Sequence, residues 1–131
     1  MTSFLSVLVG ADAAAYVLRN ARTNGTVAVR LLPAFDAASR NTGLLTHTML
    51  EPGAAMLIAP SNAVHTFFMR FPIDLLFVGK DGRVLKIREA VPAWRMSACL
   101  RGHAVIEMAA HSVRSIDLRV GDQLLVSPVE S

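Results

Sequence analysis

Apolar residues along this chain fall into short runs separated by turn residues, with no long helical stripe. Residues 16–20 and 26–31 are β-prone, and Arg22-Thr23-Asn24-Gly25 lies between them. The Asn-Gly pair readily takes the positive φ of a tight turn, so a hairpin is predicted. Between Pro33 and Gly43, Ala34, Ala37, Ala38 and Leu44 stand near helical spacing. Asp36 can cap and Gly43 can terminate, which predicts one short helix. Pro52-Gly53 marks a turn, 54–58 a buried strand, and Pro60-Ser61-Asn62 a loop. Pro72 has no N–H to give a ladder, so the apolar run 64–78 is predicted to be two strands broken near Phe71. Lys80-Asp81-Gly82-Arg83 joins 75–78 to 84–88 as a second antiparallel hairpin. Residues 94–100 have no clear period, 104–108 read as a buried strand, and 111–118 as a short helix. A Gly121-Asp122 turn then leads into a last strand, 123–126. The sum is seven or eight short strands with one or two short peripheral helices. That is a mainly β fold, expected to close as a compact antiparallel barrel or sandwich.

Composition narrows the class. At 131 residues, 53% hydrophobic and 18% charged, the chain reads as one domain over 1–131 with a large core or an apolar interface. Homodimerisation is therefore one expectation. The formal charge of +3 is modest and the basic residues are dispersed, so no nucleic-acid partner is expected. Cys99 is the only cysteine, which excludes an internal disulfide and leaves no zinc-finger spacing; it reads as a small buried apolar residue. Residues 4–9 are apolar but lack a basic flank, so a signal peptide is not expected. No stretch reaches the roughly 20 apolar residues needed to span a bilayer. The cytoplasm is the default compartment.

Four polar groups interrupt the most apolar stretch, Val64-His65-Thr66-Phe67-Phe68-Met69-Arg70-Phe71-Pro72-Ile73-Asp74. Burying such groups without partners costs roughly 2 kcal/mol for a neutral group and more for a charge, so they must pair or line a cleft. Arg70 offers a planar fork for a carboxylate or phosphate, either on a ligand or on an internal acid such as Asp74 or Glu107. Glu107 has only apolar neighbours in Ala104-Val105-Ile106-Glu107-Met108, so it is expected either inside, against Arg70, or facing a pocket. His65 and Asp74 could act as a base and its orienting carboxylate; a hydrogen-bonded structural pair is the plainer reading. Trp94 and Arg95, after Val91-Pro92-Ala93, suggest the rim of a groove. Phosphate loops, nucleophile elbows and zinc helices are absent from the sequence, four scattered histidines make a poor metal site, and no cofactor is expected.

Arg40-Asn41-Thr42-Gly43-Leu44-Leu45, the block His65 to Asp74, Asp81-Gly82-Arg83-Val84, Ile106-Glu107 and Val120-Gly121-Asp122, in this order, resemble the prokaryotic family named domain of unknown function 192. The resemblance runs over about 27–126. It implies a small, mainly β domain, often exported in other members, and no established reaction. The central block is similar to the family's Phe-Trp-Met-Lys-Asn-Thr and Pro-Leu-Asp, with Phe68, Met69 and Arg70 in the first part and Pro72, Ile73 and Asp74 in the second. Two places depart from the pattern. Thr46-His47-Thr48 stands where an arginine is usual, and Glu107-Met108-Ala109-Ala110-His111 where Glu-Leu-x-Ala-Gly is usual.

The sequence therefore predicts a non-enzymatic binding or accessory domain. His65, Arg70, Asp74 and Glu107, with Trp94 and Arg40 nearby, would form a cleft for a small anionic ligand, a peptide or a protein partner. The alternatives are a hydrolase or metal-dependent enzyme using His65 and Asp74, and a homodimeric or partner-binding structural module.

Overall fold

The computed structural model describes residues 3–43, 47 and 49–130. Three runs without polar interruption for most of their length make the centre. β4 (Ala54–Ile58) and β6 (Ile73–Val78) are buried at every position, and β9 (Ala104–Ala109) at all but its last. Strands apolar on both faces belong inside a sheet covered on both sides. They form the middle of a five-stranded sheet in the order β3 (Arg30–Ala34), β4, β9, β6, β7 (Val84–Val91). One side carries a three-stranded sheet in which β1 (Tyr16–Asn20) lies between β10 (Leu124–Pro128) and β2 (Gly25–Ala28). The other side carries a ribbon of β5 (Ala63–His65) and β8 (Met96–Ala98).

Alternation along the central strands divides the core in two. Leu57, Leu76, Val78, Ile106 and Met108 pack toward Leu18 and Leu124 of the three-stranded sheet, together with Leu5 and Leu8 near the N-terminus. Ile58, Ile73, Leu75, Phe77 and Val105 pack toward Val64 of the ribbon and Met69, Phe71 and Cys99.

The mainly β class is found, with ten strands among the described residues where seven or eight were expected. Among the described residues the sheets do not close into a barrel. The surplus has local causes. The run 26–31 divides at Val29, because the Val29 and Arg30 N–H groups both donate to the Gly53 carbonyl, at 2.8 and 3.1 Å. The chain thereby leaves β2 for β3, which runs parallel to β4 against the antiparallel expectation. The segment 94–100, without a period in sequence, contains β8. The broken central run is found as β5 and β6.

Helix α1 (Ala37–Thr42) forms where Asp36 and Gly43 placed it. The Asp36 carboxylate accepts the Ser39 N–H at 2.8 Å, and Gly43 ends the helix at φ 49°. Leu44, expected as one of its apolar positions, lies outside the described residues, as do Leu45, Thr46 and Thr48. Helix α2 (Ser112–Ser115) is shorter than the predicted 111–118. Among the described residues, no helix is long and apolar enough to cross a membrane.

Candidate functional site

A cavity of ≈ 410 Å³ lies between the C-terminal end of α1, the start of β5 and the middle of β9. Arg40, Asn41 and Gly43 line it from the helix, Ser61 and His65 from the ribbon side, Met69 from the following loop, and Glu107 from the sheet. Each group is placed by local structure. Arg40 lies in the last turn of α1, and its Nη1 donates to the Phe35 carbonyl at 2.8 Å, which fixes the guanidinium stem. Gly43, with its positive φ, brings the helix end close to β9: a Cβ there would stand 3.8 Å from Glu107 Oε1.

Glu107 is the unusual member. In the ladder it stands directly between Met56 on β4 and Leu75 on β6, neither of which can donate a hydrogen bond. Only 4% of the residue is exposed. Burial alone pushes its carboxyl up from 4.5 to about 7, because charge is disfavoured where water is excluded. Among the described residues no donor reaches its carboxylate, so near neutrality the group carries a shared population of acid and carboxylate. It can donate or accept with little proton cost.

His65 faces the same cavity from β5. Its Nδ1 accepts the Phe67 N–H at 3.3 Å, and its ring stacks on Phe67 with centroids 4.8 Å apart. Phe67 in turn stacks on Trp94 at 5.5 Å. Trp94 is therefore one ring removed from the cavity wall. Arg70 is exposed, next to the lining Met69, and among the described residues it makes no hydrogen bond or ion pair. Neither Asp74 nor Glu107 is its internal partner, which overturns the internal ion pair that is the plainer sequence reading of Arg70.

Asp74 is placed elsewhere. It is fully buried on β6, at the parity opposite to Leu75 and hence on the opposite face of the sheet from Glu107. Its Oδ1 accepts the Ala90 N–H at 2.8 Å and the His111 N–H at 3.2 Å, and its Oδ2 accepts the Val113 N–H at 2.9 Å. These bonds hold the bulge at Ala90, whose φ is 49°, and the start of α2, where His111 has φ 73°. The pairing of His65 with Asp74 does not form. The carboxylate is taken up by backbone donors, which makes Asp74 a fastener of the scaffold.

Arg40, His65 and Glu107 thus meet, Trp94 and Arg70 flank them, and Asp74 stands apart. Asn41, in the block that carries the resemblance, and Ser61, in the loop before β5, are further polar cavity residues to which the sequence assigns no binding role. Thr66 was visible as a polar interruption but had no role; it is 1% exposed and ties the loop after β5 to the loop before β8. Among the described residues, no three His, Cys, Asp or Glu side chains cluster as a metal centre needs.

Residues 18–126 match the family model DUF192, described as Uncharacterized ACR. The match begins earlier than the resemblance in sequence, within β1. Two solved structures share the fold. A protein of Sinorhizobium meliloti 1021, provisionally described as a transcription regulator, is 22% identical, with a TM-score of 0.71 over 83% of this chain and 89% of that one. A protein of unknown function from Novosphingobium aromaticivorans DSM 12444 is 21% identical, with a TM-score of 0.69 over 83% of this chain and 81% of that one. At these identities the likeness is one of fold alone. No curated protein matches significantly.

Proposed function

The chain belongs to the DUF192 family, and on that premise we propose that it is a non-enzymatic binding or accessory domain whose cavity takes a small ligand or the end of a peptide. The observation that carries this reading is the Glu107 carboxylate, buried between Met56 and Leu75 and turned to the cavity. An ionised carboxylate in that position is costly, and a ligand that supplies an N–H or O–H group offsets the cost. Arg40 and His65 on the walls suit an anionic group. An anion alone would be repelled by ionised Glu107. A small anionic ligand that also carries a donor, such as an amino acid or a peptide terminus, satisfies both ends. The volume lies within the range of small-molecule sites, about 300–1,000 Å³.

The hydrolase or metal-dependent reading lacks its supporting geometry, since Asp74 is bonded to the backbone on the other face of the sheet. Thermal-shift screening of the wild type against amino acids, short peptides, sugars, nucleotides and divalent metals tests the proposal. A ligand at a hundred times its dissociation constant stabilises by about 2.7 kcal/mol, a shift of several degrees for a domain of this size. Hits should vanish in Arg40→Ala and Glu107→Gln. Equal stabilisation of wild type and both variants, or none of the wild type, would sink the reading.

A further inference from the structure

The outer end of the β5–β8 ribbon presents an apolar surface that the cavity does not use. Phe68 is 70% exposed, Met96 73% and Trp94 57%. They are contiguous. Met96 is the cross-strand partner of His65, His65 stacks on Phe67, Phe67 stacks on Trp94, and Phe68 meets Trp94 edge-on with centroids 4.6 Å apart.

The tip is built and not merely left over. Phe68 and Trp94 both have positive φ, 64° and 67°, a region that bulky residues rarely adopt and that persists only where surrounding bonds impose it. Thr66 imposes it here. Its carbonyl accepts the Met69 N–H at 3.2 Å and the Trp94 N–H at 3.1 Å. Its hydroxyl donates to the Pro92 carbonyl at 2.7 Å and accepts the Arg95 N–H at 2.9 Å. One buried threonine thus holds two loops so that two aromatic rings project into solvent, where neither contributes to the core.

Charge indicates what the tip would meet. The two segments that build it, residues 65–71 and 92–96, contain Arg70 and Arg95 and no aspartate or glutamate. Both arginines are exposed. Aromatic rings flanked by two arginines suit the headgroup region of an anionic bilayer, where rings settle at the interface and guanidinium groups meet lipid phosphates. Arginine with aromatics also suits single-stranded nucleic acid, but there bases need open ring faces. Here the rings already stack on one another, and Met96 offers a base no platform. We propose that this tip docks on an anionic membrane surface, with Phe68, Trp94 and Met96 among the headgroups and Arg70 and Arg95 against lipid phosphates.

Trp94 is the only tryptophan in the chain, so its fluorescence reads the tip directly. The unmodified protein is titrated with vesicles of equal parts phosphatidylcholine and phosphatidylglycerol. The expected result is a blue shift of emission, quenched when the lipids are brominated. Partitioning should weaken by about tenfold or more in pure phosphatidylcholine vesicles, in Phe68→Asn and in Arg70→Glu. Asparagine tolerates positive φ, so Phe68→Asn removes the ring without adding strain. Arg70→Glu changes an exposed, unpaired side chain and keeps the test intact should the first variant fold poorly. Emission unmoved by anionic vesicles would overturn the proposal. So would a shift that appears with oligothymidine, with an acidic peptide or with rising protein concentration, but not with vesicles.

Discussion

Glu107→Gln should stabilise the protein at mildly alkaline pH and leave it nearly unchanged in mild acid. Burial between Met56 and Leu75 raises the Glu107 carboxyl from 4.5 to about 7. The unfolded chain gives up this proton at the ordinary value, whereas the folded protein holds it until about 7. The contribution of this group to stability is therefore fully present below 4.5 and is lost as pH rises through about 7. The gap between the two values corresponds to about 3 kcal/mol, a large share of a typical 5–15 kcal/mol total. Glutamine keeps the shape of the side chain and does not ionise. The difference in unfolding free energy between variant and wild type should accordingly grow by about 2.5 kcal/mol between about pH 5 and about pH 8. Urea unfolding at both values measures it, provided the slopes agree. Taking the difference removes the other titrating groups. His103, whose pKa is lowered by burial and then by Lys80, gives stability that falls as pH drops, the opposite trend. A constant offset between the two proteins at both pH values would refute the reasoning, since the carboxylate would then be solvated or paired.

Asp74→Asn should cost about 2–4 kcal/mol, because an amide nitrogen must face one of three backbone donors and leave it unsatisfied; a urea midpoint implying less than about 1 kcal/mol would remove its role as a fastener. Asp122 is held down to about 2, chiefly by its hydrogen bond from Arg22. Its contribution is present above 3.8 and lost as pH falls toward 2, so the acid decline of Tm should be shallower in Asp122→Asn, and an unchanged decline would contradict this. Arg70→Ala should move Tm by less than about 2 °C, as expected of an exposed side chain with no partner among the described residues; a larger drop in calorimetry would mean an internal partner.

The parts of the fold that were legible in sequence are those with strong local signals. Ala54–Ile58 is an uninterrupted apolar run between turns and appears with the predicted bounds. The Asp81-Gly82 turn fixes the hairpin of β6 and β7, and Asp36 with Gly43 fixes α1. The break at Val29 was not legible, because its cause is the Gly53 carbonyl, 24 residues away in sequence. The parallel pairing of β3 with β4 follows from that same distant contact.

The candidate site divides along the same line. His65 and Glu107 are recognisable as polar groups that apolar surroundings could not otherwise accommodate, whereas Arg40, between Ser39 and Asn41, stands out only in the block that carries the family resemblance. That Asp74 would part from them depends on the ladder register, which sets Leu75, not Asp74, opposite Glu107. A shift by one residue would have put both acids on one face. No local pattern states that register.

Chemical-shift mapping of the isotope-labelled protein against a fragment library of small amines, amino acids and carboxylates tests the binding claim most directly. Fragments that carry both a donor and an anion should move the amides of residues 40–43, 61–65 and 106–108, and should fail to do so in Glu107→Gln. Shifts confined to other surfaces, or the same shifts in the variant, would contradict the assignment of this cavity as the ligand site.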